Sequence, residues 1–259
     1  MKNMLLLSIP AAILLSACTS SVQTTSGAAY LAGYDGSYEV SGSAGPSATD
    51  ADVRRIAAIE PNLKFPARIG IARVQNGALG VVPEDEGVIW QDLAEDLGPL
   101  YGEFVPVSPL IAAMVSEKPA AGSNAASRVI ADIRRGAARQ HLDYVLVYEV
   151  SSTKSNSASA LSVADLTVIG MFVLPGRNIE AEATASGLVI DVRNGYPYAT
   201  MTAFADKKGL SRTISAWSKQ AQLARTAEQK AVLELSDDVR DAMKALGEAF
   251  VAQQAGAND

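Results

Sequence analysis

Residues 143–152, DYVLVYEVSS, contain the clearest buried strand in the sequence. Apolar and aromatic side chains follow one another almost without interruption from Tyr144 to Val150. A short continuous run of this kind is typical of a strand that is covered on both faces of a sheet. This strand is the centre around which we predict the fold.

Helices and strands alternate upstream of this strand. Residues 67–74 (ARIGIARV) alternate apolar and polar positions and predict a strand. Residues 87–98 (GVIWQDLAEDLG) predict a helix that ends at Gly98, and residues 103–108 (EFVPVS) predict a short strand.

Two more helices are predicted before residue 143. Ser108 is placed as an N-cap, with Pro109 at the first helical position. From Asn124 to His141, helical spacing puts three apolar residues on one face and four arginines largely elsewhere. The apolar residues are Val129, Ile133 and Ala137, and the arginines are Arg128, Arg134, Arg135 and Arg139.

Downstream the pattern becomes antiparallel. Residues 161–176 and 179–192 predict two strands joined by a PGRN turn, and Asn194-Gly195 is a strong signal for a two-residue hairpin. Residues 196–205 predict the returning strand, and one or two helices follow from about residue 213 to 254. The apolar positions of this last segment follow helical spacing: Val232, Leu235, Val239, Ala242, Leu246 and Phe250.

In chain order these elements predict an α/β (α+β) sandwich. Its mixed sheet is built from a β-α-β-α-β unit, followed by an antiparallel meander and a C-terminal helix. Hydrophobic residues make up 48% of the chain but aromatic residues only 6%, so we expect a largely aliphatic core. The net charge of −6 argues against binding to nucleic acid, which needs clustered lysine and arginine.

The amino-terminal segment predicts export. Lys2 supplies a positive charge, and the apolar run from Met4 to Leu15 is too short to span a bilayer but suits a signal peptide. Small residues then lead into Cys18, the only cysteine of the 259 residues, so no disulfide can form within the chain.

Leu15-Ser16-Ala17-Cys18 resembles the bacterial lipobox. The resemblance implies that the Cys18 thiol receives a diacylglyceryl group, and that cleavage before it makes Cys18 the first mature residue. Two or more acyl chains hold a protein firmly in a bilayer. Thr19 is not the aspartate that favours retention in the inner membrane, so we expect a lipid-anchored protein of the outer membrane that faces the periplasm.

These features divide the chain into four parts. Residues 1–17 are the predicted signal peptide, and residues 18–61 the lipidated cysteine with a flexible tether rich in Ser, Gly and Ala. Residues 62–254 form the predicted periplasmic domain, and residues 255–259 a disordered tail. Three tyrosines recur at every fourth residue of the tether, which fits a short helix, a docking peptide or chance: Tyr30, Tyr34 and Tyr38.

Side chains suited to catalysis are few. His141 is the only histidine, and its place at the end of an arginine-rich helix favours an interaction with the helix dipole over a role as a base. An acylated Cys18 is no nucleophile, and no cluster of Cys and His suits zinc. Neither a P-loop nor a GxGxxG motif lies between a strand and a helix. We therefore expect no catalytic residue, no metal and no cofactor.

Three groups of charged residues are candidate binding sites. Glu84-Asp85-Glu86 would suit a hard cation, but the spaced loop of an EF-hand is missing, so a solvated turn is the preferred interpretation. Glu180 and Glu182 share one face of a predicted strand, which a wet sheet face explains. The four arginines would suit an acidic partner, although a solvated helix face is the simpler interpretation.

Residues 164–205 (ADLTVIGMFVLPGRNIEAEATASGLVIDVRNGYPYATMTAFA), together with the lipobox and the YVLVYEV strand, resemble the rhombotarget-type bacterial lipoproteins. More distantly, the order of elements is similar to that of the curli-secretion lipoprotein and of the amino-terminal domain of TolB. The family implies no established enzymatic activity. The chain ends QQAGAND rather than in the Gly-Gly tail of the proteins that name the family, so we expect no rhomboid-type processing.

The sequence favours a noncatalytic envelope lipoprotein whose periplasmic domain binds an unidentified envelope protein. The alternative is a carboxylate-based hydrolase or ligand-binding domain that acts on cell-wall or lipid material. A third and weaker hypothesis is pore formation, for which only residues 161–192 offer a long enough hairpin.

Overall fold

The computed structural model describes residues 19–33, 48–118, 124–152, 183–205 and 217–256. The strands of these ranges are β1 (Thr19–Val22), β2 (Ala67–Gln75), β3 (Ala78–Leu79), β4 (Gly102–Pro106), β5 (Tyr144–Ser152), β6 (Ala183–Asp191) and β7 (Pro197–Ala205). The helices are α1 (Gly27–Ala32), α2 (Ala48–Ala57), α3 (Glu84–Leu97), α4 (Pro109–Met114), α5 (Ala125–Arg139) and α6 (Trp217–Gly256).

The seven strands form one mixed sheet in the order β1-β7-β6-β5-β2, with β4 and β3 both pairing with the far side of β2. β2 runs parallel to β5 and to β4, and the other pairs are antiparallel. The α/β fold with a mixed sheet and a C-terminal helix is therefore confirmed. We call its two ends the Thr19 end, where β5 and β7 finish, and the Asp191 end, where β5 and β7 begin.

β2 and β5 lie at the centre of the sheet. They pair in register from Ile69 opposite Tyr144 to Val74 opposite Glu149. β2 is buried on both faces from Ile69 to Val74, although its alternating sequence predicts only one buried face. The second face is covered by α5 and by the segment between β4 and α4, which packs closely on Gly70: a Cβ there would lie 2.8 Å from a methyl group of Val107.

One face of the sheet packs against α3 and α6. Trp90, Leu93 and Leu97 of α3 join the core with side chains of β2, β5, β6 and β7. The predicted apolar positions of α6 are confirmed, since Phe250 packs against this core and the other five are buried in it: Val232, Leu235, Val239, Ala242 and Leu246.

The other face packs against α5, which in turn contacts α4. Ile133 and Ala137 are fully buried there, as the helical spacing predicts. The Ser108 side chain accepts a hydrogen bond from the backbone N of Ile111, so the predicted cap of α4 is confirmed. Gly136 of α5 has no room for a side chain, because a Cβ would lie 2.8 Å from that of Ala112.

Two details of the sequence prediction are wrong. The folded domain begins before residue 62, because β1 forms an edge strand within the segment predicted as a flexible tether. The β6–β7 hairpin closes at Asp191 and Tyr196, whose backbone N and O are 2.9 Å apart, so its loop has more than the two predicted residues. The predicted strand over residues 161–176 and the last residues of the tail lie outside the described residues.

Replacing Gly136 by alanine should lower the free energy of unfolding by about 1–3 kcal/mol, because the new methyl group collides with α4. Gly87→Ala is the matched control: Gly87 also lies in a helix, nothing occupies the space around its Cβ position, and the change should stabilise by about 0.5–1 kcal/mol. Urea unfolding of the detergent-solubilised protein measures both. If both variants changed the free energy of unfolding in the same direction, that result would contradict the packing described for α4 and α5.

Candidate functional site

The lipobox residues Leu15, Ser16, Ala17 and Cys18 lie outside the described residues. The next residue, Thr19, already begins β1, which pairs antiparallel with β7 from Thr19 opposite Thr202 to Val22 opposite Ala199. The backbone N of Gln23 continues the ladder with a 2.8 Å bond to the carbonyl of Tyr198. The sheet therefore starts one residue after the candidate lipid-bearing cysteine.

The chain remains attached to the domain after β1. The Tyr196 hydroxyl donates to the Thr25 carbonyl at 2.8 Å. The Glu60 carboxylate then accepts the backbone N–H groups of Gly27 at 3.1 Å and Ala28 at 2.8 Å, and so caps α1 from a distant part of the chain. These bonds, above all the one from Ala28, lower the pKa of Glu60.

Gly27 is needed for this close approach. A Cβ on Gly27 would lie 2.3 Å from the carbonyl oxygen of Ala57, at the end of α2. The first turn of α1 therefore packs directly on the backbone that leads to Glu60. This packing and the hydrogen bonds to Glu60 both hold the start of α1 in place.

Tyrosine hydroxyls bind the segment before β2 at the Asp191 end. The Tyr198 hydroxyl accepts the backbone N–H of Asn62 at 2.7 Å, and the Tyr144 hydroxyl accepts that of Lys64 at 2.6 Å. Burial raises the pKa of Tyr144 to about 12 and also raises that of Tyr198. Both hydroxyls thus keep their protons at neutral pH and hold backbone rather than a reacting group.

Asp191 is fully buried and is engaged within its own hairpin. Its carboxylate accepts a hydrogen bond from the backbone N–H of Arg193 at 2.8 Å. The same carboxylate forms an ion pair with the Arg193 guanidinium at 2.9 Å. Arg193 also donates to the Asn62 carbonyl at 3.1 Å. This buried carboxylate therefore orders the β6–β7 turn and joins it to the segment before β2.

A buried polar cluster lies between the sheet and α3. Nε of Arg73 on β2 donates to both carboxylate oxygens of Glu86, at 2.9 and 3.1 Å, and the Tyr148 hydroxyl of β5 donates to the same carboxylate at 2.6 Å. All three side chains are buried. Burial and the neighbouring Glu86 carboxylate raise the pKa of Tyr148, so its hydroxyl acts as a donor. The aromatic rings of Trp90 and Tyr148 pack edge to face.

The solvated-turn interpretation of Glu84-Asp85-Glu86 is therefore wrong for its third residue. Glu84 and Asp85 are exposed in the first turn of α3, but Glu86 points to Arg73. Arg73 is not among the residues that the sequence singles out. The available signal was a second arginine near the end of the strand over residues 67–74, upstream of an acidic helix start.

The remaining sequence candidates are spread over the domain. His141 is exposed and follows the C-cap of α5, where its backbone N bonds to the Ala138 carbonyl at 3.0 Å. Arg134 donates to the Val192 carbonyl, and Arg135 pairs with Asp132 and Glu117. Arg128 and Arg139 are exposed, and Glu180 and Glu182 lie outside the described residues.

Within the described ranges, no three His, Cys, Asp or Glu side chains come together in a way that would hold a metal ion. The helices within these ranges also include none with the length and apolarity needed to cross a membrane. Among the described residues, the most exposed large apolar side chains are those of Leu110 and Met114, one turn apart on α4 and about four-fifths exposed.

Comparison with known proteins identifies no family for this chain. No family model matches it, and no curated protein matches it. Among solved structures, the PelC dodecamer from Paraburkholderia phytofirmans is 14% identical, with a TM-score of 0.28 over 66% of this chain and 87% of that one. A point variant of the same protein is 12% identical, with a TM-score of 0.27 over 65% of this chain and 87% of that one. Scores this low carry no conclusion about function.

The attachment of α1 should depend on pH. Because the pKa of Glu60 is lowered in the folded protein, its cap is fully formed above the ordinary pKa of a glutamate and is lost as the pH falls through the lowered pKa. The amide resonances of Gly27 and Ala28, followed by NMR, should shift over that acidic range, while the amide of Val147 should not. In Glu60→Ala the pH-dependent shift should vanish; its persistence would contradict the assignment.

Glu86→Ala should destabilise the protein by about 3–5 kcal/mol, since it leaves the buried Arg73 without its partner. Glu84→Ala removes an exposed carboxylate from the same turn and is the matched control, with an expected loss below about 1 kcal/mol. Adding Arg73→Met to Glu86→Ala should restore part of the loss. Urea unfolding measures all three variants, and equal losses for Glu84→Ala and Glu86→Ala would exclude a buried pair.

Proposed function

We propose that this protein is a membrane-anchored lipoprotein of the bacterial cell envelope, with a noncatalytic domain that binds another envelope protein. The single observation that carries the proposal is the lipobox-like sequence Leu15-Ser16-Ala17-Cys18 at the end of an apolar run. Acyl chains on Cys18 would bind the bilayer, since each buried methylene contributes about 0.8 kcal/mol.

Two of the four buried carboxylates among the described residues, Glu86 and Asp191, support a noncatalytic domain. Glu86 is held by Arg73 and Tyr148, and Asp191 is held by Arg193 and backbone N–H groups, so both carboxylates have structural partners. Among the described residues, no observation favours the hydrolase or ligand-binding alternative over this interpretation. The resemblance to rhombotarget-type lipoproteins, which implies no enzymatic activity, points the same way.

We place the protein in the outer membrane, with its domain in the periplasm. Thr19 follows the candidate cysteine, where aspartate would favour the inner membrane. Partner binding rests on the absence of an assigned chemistry and on the anchored location, which brings the domain together with other envelope proteins. The net charge of −6 does not suit nucleic acid as that partner.

Intact-mass analysis should find a mature protein that begins at Cys18 and carries added acyl mass, and radiolabelled palmitate should enter it. Cys18→Ser should abolish both signals and release the protein from the membrane fraction. Ser21→Ala, at an exposed position of β1, is the matched control and should behave as the wild type. An unmodified cysteine at residue 18 would exclude the anchor.

Cells that express the wild type or Cys18→Ser also test whether the domain binds another envelope protein. A photo-crosslinking residue placed at Leu110 or Met114 lies on the surface and leaves the core unchanged. Capture under denaturing conditions should recover one reproducible envelope protein from wild-type cells and lose it in Cys18→Ser. Recovery of no envelope protein, with lipidation intact, would contradict the partner-binding part of the proposal and leave the anchor standing.

A further inference from the structure

We infer that the Thr19 end of the sheet lies directly on the bilayer surface, with no spacer between the lipid and the folded domain. The inference rests on the proposed lipidation of Cys18 and adds to it an interaction surface and an orientation. Its occupant is a lipid headgroup layer. The Asp191 end of the sheet then points away from the membrane.

Almost no free chain separates the proposed lipid from the sheet. One peptide link joins Cys18 to Thr19, and it spans about 3.8 Å between Cα atoms. Thr19 is already paired with Thr202 of β7. A flexible segment over residues 18–61 would instead have an end-to-end distance of ~37 Å. The sheet removes that freedom, so the lipid and the edge of the domain stay within the reach of a single residue.

β1 is held firmly enough to transmit this constraint to the sheet. Four residues of β1 pair with β7, and the ladder continues from Gln23 to Tyr198. Behind the strand, Tyr196 holds Thr25 and Glu60 caps α1. A pull on Cys18 therefore acts along β1 on the whole sheet, since these contacts oppose separation of the strand from β7.

The strand directions decide which end meets the bilayer. β1 starts opposite Thr202, three residues (about 10 Å) short of the end where β5 finishes at Ser152, β6 starts at Ala183 and β7 finishes at Ala205, so these strand ends extend past Thr19 on the same side. The turn at Asn194 and Gly195 lies at the other end, about 30 Å away along a nine-residue strand.

The charges at this end have both signs. Glu84 and Asp85 at the start of α3 are exposed on the same side, while Lys154, Lys207 and Lys208 follow the ends of β5 and β7 in the sequence, so we assign this end no net electrostatic attraction to lipid. The acyl anchor, not electrostatic attraction, holds the end at the surface. Its proximity to the bilayer should therefore be insensitive to salt and should not require anionic lipid.

The test measures the distance of two exposed positions from the bilayer. Ala78 on β3 lies at the Thr19 end, and Ala58, which follows α2, lies at the Asp191 end. Ala78→Cys and Ala58→Cys are labelled singly with a fluorophore, because an acylated Cys18 has no free thiol. The full-length lipidated proteins are placed in phosphatidylcholine vesicles that contain a headgroup-linked quencher. Quenching should be several-fold stronger at Ala78 than at Ala58, at low and at high salt.

A spacer variant is the control. About 20 Gly and Ser residues inserted between Cys18 and Thr19 allow an excursion of ~25 Å and should reduce the quenching at Ala78 to the level at Ala58. Equal quenching at the two positions in the protein without the spacer, or no effect of the spacer, would overturn the inference. Intact mass and vesicle flotation report lipidation separately, so these outcomes leave the anchor in place. Failure of flotation would overturn the anchor and the orientation together.

Discussion

The parallel pairing of β2 with β5 is the constraint on which the rest of the structure depends. The two strands meet in register over six residue pairs and are buried on both faces for most of that length. Fully burying a Leu, Ile or Val side chain contributes ~1.5–3 kcal/mol, so either face left in water would forfeit several such contributions. The sheet therefore needs two helical layers, and α3 with α6 on one side and α5 on the other supply them.

This pairing also determines how a charged residue is accommodated at the centre of the sheet. Arg73 lies opposite Tyr148, inside the layer covered by α3. An unpaired ion is very costly in such surroundings, and an ion pair recovers that cost only with good geometry and additional hydrogen bonds. Glu86 and the Tyr148 hydroxyl provide them. The cluster thus determines where the start of α3 lies against the sheet. The Glu86 carboxylate also lies in the first turn of α3, where the helix dipole stabilises a negative charge.

Sequence patterns predicted the elements that depend on neighbouring residues. The Ser108 cap, the end of α3 at Gly98 and the apolar stripe of α6 follow from contacts within one or two helical turns. β1 gave no such signal, because TSSV is polar and becomes a strand only through an edge 183 positions later in the sequence, at Thr202 opposite Thr19. Glu86 was misread for a similar reason. Nothing in the acidic triplet separates its buried member from the exposed ones until Arg73 is placed beside it.

β1 combines the protection of an edge with the proposed anchoring of the domain. An open β7 would present unpaired N–H and C=O groups to other chains, and proteins avoid this by covering the edge with a short polar strand. β1 does so over Ala199 to Thr202. If Cys18 carries the lipid, the bonds that close this edge are also the bonds that hold the domain at the bilayer. Release of β1 would then expose β7 and lengthen the free chain between the lipid and the domain as far as Thr25, which Tyr196 holds, so the stability of the edge also sets how far the domain can move from the bilayer.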